Sequence, residues 1–136
     1  MKNRLLLWYQ TGIAASDTVT GICLLFAPLF TLKMMHLHAL ESSAIFLSWI
    51  GVFVTSVGVA CAYGVRLMAC KGCSHRLETV WLLTAVTRGL VAVFLFANLA
   101  TGNLATAWSS VAVFDATCSV IQCIGLRRGW LREVVR

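Results

Sequence analysis

The sequence contains little charge and little that interrupts a helix. Only 12% of its 136 residues are charged, it has a single proline, and 60% of it is hydrophobic. A soluble domain cannot bury so much apolar surface, so these proportions exclude a soluble enzyme, a disordered tail and a repeat array. The sequence also lacks a glycine-rich phosphate loop, a glycosylation sequon and any low-complexity segment. This composition indicates an integral membrane protein with most of its mass inside the bilayer.

Four apolar stretches have the length of a membrane span, about 20 residues. They cover residues 5–32, 44–67, 77–100 and 104–126. The last two are joined by Thr101, Gly102 and Asn103, a turn sequence that forces an antiparallel hairpin. We predict an all-α, polytopic membrane protein: an antiparallel four-transmembrane-helix bundle that forms a single membrane domain over residues 1–136. Pro28 is expected to bend or end its first helix.

Basic residues determine the predicted orientation. The chain has eleven Lys and Arg against five Asp and Glu, a net charge of +6. Most of the basic residues lie in the amino tail, the second loop and the carboxyl tail: Lys2, Arg4, Arg66, Lys71, Arg76, Arg127, Arg128, Arg132 and Arg136. Four spans place these segments on one side of the membrane, which the positive-inside rule assigns to the cytoplasm. We expect both termini to be cytoplasmic, the location to be the bacterial cytoplasmic (inner) membrane, and nucleic acid not to be a partner.

The ends of the spans are marked by tryptophan. Trp8, Trp81 and Trp130 lie near predicted span ends on one side, and Trp49 and Trp108 lie near those on the other. This pattern is typical of the aromatic belts at membrane surfaces. The first apolar run is too long for a signal peptide, so we expect it to remain as an uncleaved helix.

Three ionisable residues lie near the middle of predicted spans: Asp17, Arg88 and Asp115. Counted from the predicted cytoplasmic ends, each lies about 17 Å deep along a helix. A single charge at the centre of a span costs about 2.5–3.5 kcal/mol to insert, so charges at one depth are best explained by mutual pairing. We predict a buried polar cluster of these three residues. It either fixes the helix register or forms a working site for protons or a small ligand.

Polar residues continue from this cluster toward the predicted cytoplasmic side. Gln10, Thr84, Ser119 and Gln122 lie on the same helical faces as the three charged residues. The corresponding positions on the outer side are small or apolar. We therefore predict a polar funnel that opens to the cytoplasm and is closed above the charges.

The second span carries a line of small residues at steps of three and four. Its members are Ser48, Gly51, Thr55, Gly58 and Ala62. Such a line allows another helix to approach closely. We predict helix packing along it, with the partner helix either in the same bundle or on another subunit.

Cysteine and histidine supply the remaining candidate sites. Cys70 and Cys73 form a C-x-x-C motif in the second loop, and His75 follows it. A C-x-x-C in the cytoplasm is either a dithiol redox pair or half of a zinc site, with an ordinary loop as the alternative. His36 and His38 in the first outer loop are candidate copper or tetrapyrrole ligands, with an ordinary interfacial loop as the alternative.

Several segments of the chain resemble one family. They are Ser16-Asp17-Thr18-Val19-Thr20-Gly21, Phe26-Ala27-Pro28 and Ile124-Gly125-Leu126-Arg127-Arg128-Gly129-Trp130. With Arg88 and Asp115 in the middle of the third and fourth helices, they resemble the small DoxX-like four-helix membrane proteins. The resemblance implies a compact four-helix bundle and, for some members, a place as the membrane subunit of a quinone-linked oxidoreductase. The C-x-x-C motif is not part of this pattern.

Three functions fit these patterns. The first is a non-catalytic accessory or structural subunit of a larger membrane complex, such as an energy-transducing one. The reason is that the sequence encodes no complete cofactor site and no set of residues that would activate a catalytic nucleophile. Its partners would be membrane lipids and other membrane subunits. The second is a small proton-linked transporter that uses Asp17, Arg88 and Asp115 and works as a homodimer, because four helices are few for alternating access. The third is a membrane thiol-redox or metal-handling protein that uses the C-x-x-C loop.

Overall fold

The computed structural model describes residues 2–37, 43–70 and 72–134. These residues form helices and turns and contain no strand, so the prediction of an all-α protein is confirmed. The helices are α1 (Lys2–Phe26), α2 (Pro28–Met34), α3 (Ala44–Met68), α4 (Ser74–Ala100), α5 (Ser109–Arg127) and α6 (Trp130–Val134). A short 3-10 turn, Thr106–Trp108, directly precedes α5.

Three of the described helical segments are long and apolar enough to cross a membrane. They are α3, α4 and the segment Thr106–Arg127 that contains α5. Only 22–33% of the residues in the most apolar part of each segment are buried, and large residues such as Phe53, Leu90 and Phe94 are exposed. Such a surface suits lipid chains and not water. The chain is therefore an integral membrane protein. α1 is 25 residues long but is not one of these three segments, so a fourth span remains a prediction.

The chain divides into two compact units, Met1–Val65 and Arg66–Arg136. The first unit contains α1, α2 and most of α3, and the second contains α4, α5 and α6. Each unit contains an antiparallel pair of long helices. One domain over residues 1–136 remains a prediction.

Glycines allow α1 and α3 to approach each other closely. A Cβ atom added at Gly58 would lie only 2.5 Å from Thr18 Oγ1, and one added at Gly51 would lie 2.6 Å from the backbone nitrogen of Leu25. The contact position therefore moves from Thr18 to Leu25 along α1 as it moves back from Gly58 to Gly51 along α3. This order makes the two helices antiparallel. The face of α1 that is buried comprises Leu6, Gln10, Ile13, Ala14, Asp17, Gly21 and Leu24.

The hairpin predicted between the third and fourth spans is present in the second unit. α4 ends at Ala100, and Gly102 has a φ of +74°, a conformation that L side chains rarely adopt. The backbone amides of Asn103 and Leu104 both donate to the carbonyl of Asn98, at 2.9 and 3.3 Å. The chain therefore reverses within a few residues, and α5 packs along the length of α4.

The helix bounds differ from the predicted spans in several places. The first predicted span is two helices, because Pro28 has no N–H to continue the helix; the expected break at this proline is present. The third span begins earlier, at Ser74. The fourth begins later, because the amides after Gly102 bond back to α4 before the chain can form a new helix.

The carboxyl-terminal helix α6 was not predicted from the sequence. It follows Gly129, which has a φ of +65°, and packs against α4 and α5. Leu131 of this helix is fully buried. Trp130 lies beside Gly125 of α5, because a Cβ atom at that glycine would be 3.0 Å from the indole ring. α6 therefore belongs to the core of the second unit.

Trp81 is not the surface residue that the aromatic-belt pattern predicted. Its side chain is fully buried, and a Cβ atom added at Gly125 would lie 2.6 Å from Trp81 Cζ3. Trp8 and Trp49 are exposed, as residues of a membrane belt are. The belt prediction was therefore wrong for Trp81, whose ring fills the space that the missing side chain of Gly125 leaves between α4 and α5.

Candidate functional site

A buried ion pair lies at the centre of the α4–α5 hairpin. Arg88 of α4 donates a hydrogen bond from Nη1 to Oδ1 of Asp115 of α5, at 2.6 Å. The side chain of Arg88 is 4% exposed and that of Asp115 is 15% exposed. The structure therefore brings together two of the three charged residues predicted to share one depth in the membrane. Such a charge-assisted bond is stronger than one between neutral groups.

Arg88 also lies against an aromatic ring. Its Cζ atom is 5.6 Å from the centre of the Phe114 ring, which is within the range of a cation–π interaction. Both contacts come from neighbouring residues of α5, so this helix surrounds the guanidinium with a counter-charge and a ring face. Inside a membrane, where water cannot solvate the charge, these contacts replace its hydration.

Two more hydrogen bonds join the same faces of α4 and α5. Ser119 Oγ donates to the backbone carbonyl of Ala85 at 2.8 Å, and Gln122 Nε2 donates to Thr84 Oγ1 at 3.0 Å. We call the residues that link the two helices in this way the polar row: Thr84, Arg88, Asp115, Ser119 and Gln122. From Asp115 to Gln122 the residue numbers rise along α5, while those of their partners in α4 fall from Arg88 to Thr84. The polar row therefore follows the antiparallel hairpin and fixes its register.

Gln122 is a member of the polar row whose side-chain amide is only partly hydrogen-bonded. The residue is fully buried, and its Oε1 atom has no hydrogen-bond partner among the described residues. The hydroxyl of Thr84, which accepts the bond from Gln122, itself points to the carbonyls of Val80 and Trp81 in its own helix. A buried acceptor without a donor costs about 1–3 kcal/mol. A group that donates a hydrogen bond to Oε1 of Gln122 would therefore be stabilised there.

Asp17 and Gln10 lie on the buried face of α1, in the first unit. The exposed fraction is 7% for Asp17 and 0% for Gln10. Gln10 donates from Nε2 to the backbone carbonyl of Cys61 in α3 at 2.9 Å, so it links α1 to α3. The association of Asp17 with Arg88 and Asp115 in one cluster remains a prediction.

The residues predicted to line a polar funnel all form bonds between helices. Gln10 joins α1 to α3, whereas Thr84, Ser119 and Gln122 join α4 to α5. Side chains used in this way hold neighbouring helices in register. A funnel that is open to water remains a prediction.

The predicted line of small residues on α3 packs on α1 of the same chain over its central part. Its five positions are Ser48, Gly51, Thr55, Gly58 and Ala62. Thr55 contacts Gly21 of α1, and the two glycines of the line are buried against the same helix. The ends differ, because Ser48 is half-buried, Ala62 is exposed, and Cys61 takes the buried position next to it. The packing prediction was therefore one residue out of phase at its carboxyl end.

The segment between α3 and α4 contains a disulfide bond. Cys70 is joined to Cys73, and the intervening Gly72 has a φ of +82°. His75 is exposed in the first turn of α4. In the part of the chain that the structure describes, no group of three or more His, Cys, Asp and Glu residues is placed to hold a metal ion. The structure thus shows the two sulfurs bonded to each other, and the redox-pair and zinc-site interpretations of the motif both remain predictions.

An open cavity of about 290 Å³ lies near the amino end of α4. It is lined by His75, Glu78, Thr79, Leu82 and Leu126. Glu78 accepts a hydrogen bond from Arg132 Nε of α6 at 2.8 Å, and this bond raises the pKa of Arg132 above its usual range. Since the side chain of Arg132 is largely exposed, this ion pair contributes little to stability.

The candidate ligand histidines lie near and beyond the end of α2. His36 is exposed, has a φ of +57°, and donates its backbone amide to the carbonyl of Lys33. These are the features of a residue in a turn that ends a helix. His38 lies outside the described residues. A ligand role for this pair remains a prediction.

Comparisons with models of protein families, with curated proteins and with solved structures give no match. They therefore give no support to the resemblance to DoxX-like proteins.

Proposed function

We propose that this chain is a non-catalytic structural subunit of a larger membrane protein complex. The observation that supports this most directly is the ion pair between Arg88 and Asp115, in which two mid-helix charges bind each other inside one hairpin. Polar groups that bond within a membrane protein specify how its helices pack. The helices so held present an apolar outer surface to lipids and to neighbouring subunits.

In this proposal the chain crosses the bacterial cytoplasmic membrane four times, with both termini in the cytoplasm. α1 is the first span, since its 25 residues extend about 37 Å as a helix. Arg66 lies in the last turn of α3, Arg76 in the first turn of α4 and Arg127 in the last turn of α5. Positive charge at these three helix ends supports a cytoplasmic location for all of them.

The test is to purify the tagged chain from its native membrane in a mild detergent. We expect a peak that contains other membrane proteins in fixed proportion, measured by native mass determination, with an absorption spectrum of the same peak to detect pigments held by its neighbours. A colourless peak that contains two copies of this chain alone would contradict the proposal.

Substitutions in the ion pair make this test specific. Asp115→Asn is expected to reduce the yield of the complex, because it removes the counter-charge of Arg88. The double variant Arg88→Met with Asp115→Leu is expected to restore it, because an apolar pair of similar size fills the same space. Thr117→Ala is the matched control, since Thr117 is exposed on α5 and its hydroxyl donates to the carbonyl of Val113 in its own helix.

We retain proton-linked transport as a second candidate because of Gln122. Its buried oxygen lacks a hydrogen-bond partner among the described residues, and Asp115, on the same face of α5, is partly exposed. A carrier built on these groups would be a homodimer and would need the charges themselves. In liposomes, a flux driven by a pH gradient and abolished in the double apolar variant would favour this function. A double variant that still assembles with other subunits would favour the structural one.

A further inference from the structure

The disulfide between Cys70 and Cys73 has no part in the proposed structural role. Cys70 is exposed and Cys73 is half-buried. The other cysteines of the chain all lie within helices: Cys23, Cys61, Cys118 and Cys123. The only cysteines in the α3–α4 segment are therefore the two that are bonded to each other.

This disulfide is poorly placed to stabilise the fold. It joins residues only three apart in sequence, and so short a loop loses little conformational entropy when it is closed. α3 ends at Met68 and α4 begins at Ser74, so the bond lies between two helices that the backbone already connects closely. A disulfide with little structural effect and one exposed cysteine is suited to thiol–disulfide exchange.

The surroundings of the pair favour one direction of bond cleavage. Cys73 directly precedes α4 and accepts a hydrogen bond at its carbonyl from the amide of Leu77, at 3.1 Å. A negative charge at this position is stabilised by the amino end of a 27-residue helix. The exposed Arg66 and Arg76 add positive charge on either side in sequence. Cys73 is therefore the better leaving group, and Cys70 is the more exposed residue.

We propose that Cys70 and Cys73 form a thiol–disulfide exchange site for a dithiol protein. The inference goes beyond the proposed structural role and uses only its cytoplasmic orientation, because thiols in the cytoplasm are kept reduced and a disulfide there is transient or catalytic. The segment would act at the membrane surface, where a soluble dithiol can reach Cys70.

The exchange proceeds in two steps. A thiolate of the dithiol attacks Sγ of Cys70, the bond to Cys73 breaks, and Cys73 leaves as a thiolate that takes up a proton. The second thiolate of the dithiol protein then attacks the first sulfur of that protein in the mixed disulfide, and Cys70 leaves as a thiolate and is protonated. Two electrons and two protons pass from the dithiol to this chain, and the dithiol becomes a disulfide. The reverse steps reoxidise the pair.

The test uses membrane vesicles with the cytoplasmic face outward and the full chain. The vesicles are equilibrated with dithiothreitol at increasing ratios of reduced to oxidised form, quenched with acid and alkylated. The mass of the peptide that contains both cysteines is then measured by mass spectrometry. We expect the two cysteines to change together and reversibly, and Cys123→Ser to leave the transition unchanged. Thiols that are alkylated at every ratio, or a bond that resists reduction at every ratio, would overturn the proposal.

The order of attack has a separate measurement. Brief exposure of the oxidised protein to glutathione, followed by acid quenching, is expected to give an adduct at least tenfold more abundant on Cys70 than on Cys73. Equal amounts on both would overturn the assigned order. Vesicles of the opposite orientation locate the segment. If a membrane-impermeant reagent labels the reduced pair only in those vesicles, the proposed cytoplasmic orientation fails and the exchange site fails with it.

A failure of the structural role is distinguishable from a failure of the exchange site. The double variant Cys70→Ser with Cys73→Ser is expected to assemble with other subunits as the wild type does. Loss of the complex in this variant would mean that the disulfide is needed for assembly, and would overturn the exchange proposal.

Discussion

The substitution Asp115→Asn should destabilise the α4–α5 hairpin by about 3 kcal/mol. Removing one partner of a buried ion pair costs about 3–5 kcal/mol, because the remaining charge is left inside the protein without it. The Arg88 side chain is 4% exposed, so solvent cannot take the place of Asp115. The expected value lies at the lower end of the range, because Asp115 itself is 15% exposed and the ring of Phe114 stays beside the guanidinium.

The double variant Arg88→Met with Asp115→Leu separates the ion pair from the space that it fills. Replacing both members of a buried pair by apolar residues of similar volume is often neutral or stabilising. We expect its free energy of unfolding to lie within about 1 kcal/mol of the wild type. The variant that changes two residues should therefore be more stable than the variant that changes one.

The measurement is unfolding in mixed micelles as the mole fraction of sodium dodecyl sulfate increases. Circular dichroism reports the helices, and tryptophan fluorescence, to which the buried Trp81 contributes, reports the tertiary contacts. Thr117→Ala should unfold like the wild type, because its hydroxyl bonds within its own helix. If Asp115→Asn is as stable as the wild type, or if the double variant is no more stable than the single one, the ion pair does not hold the hairpin together.

Two further substitutions test the contacts between helices by the same titration. Gly58→Ala should destabilise the protein by about 1–3 kcal/mol, because its Cβ would lie 2.5 Å from Thr18 Oγ1. Gly12→Ala is its control and should be neutral or stabilising by up to about 1 kcal/mol, since nothing lies within 4 Å of a Cβ there. Equal stabilities of the two variants would contradict the close approach of α1 and α3. Gln122→Met should lie within about 1 kcal/mol of the wild type, because losing its bond to Thr84 is offset by removing a buried oxygen without a partner. A loss of several kcal/mol would show that this oxygen is satisfied.

Features that depend on local chemistry could be predicted from the sequence. The break at Pro28 follows from a missing N–H, and the turn at Gly102 follows from the conformational freedom of glycine. The meeting of Arg88 with Asp115 was predicted from depth, because an α-helix has a constant rise and the turn between the two helices is short.

Features that depend on a distant part of the chain could not be predicted in this way. Trp81 lies near the end of a predicted span, where tryptophan is usually at the membrane surface. Its burial depends on Gly125 of the facing helix, which leaves room for the ring. Whether Cys61 or Ala62 is the buried residue depends on which face of α3 packs against α1. α6 has only five residues, too few for an apolar pattern to be recognised, and Leu131 is buried by α4 and α5.

The separation of Arg88 from Asp115 by 27 positions has a consequence for how the protein is made. α4 leaves the ribosome ahead of α5, so Arg88 reaches the membrane before its counter-charge does. Insertion of α4 alone would place a bare guanidinium in the hydrocarbon, at a cost of about 2.5–3.5 kcal/mol. The two helices are therefore better inserted together, with the translocon holding α4 until α5 arrives. A released chain that is truncated at the turn around Gly102 would carry an unmet charge, by which membrane quality control can recognise it.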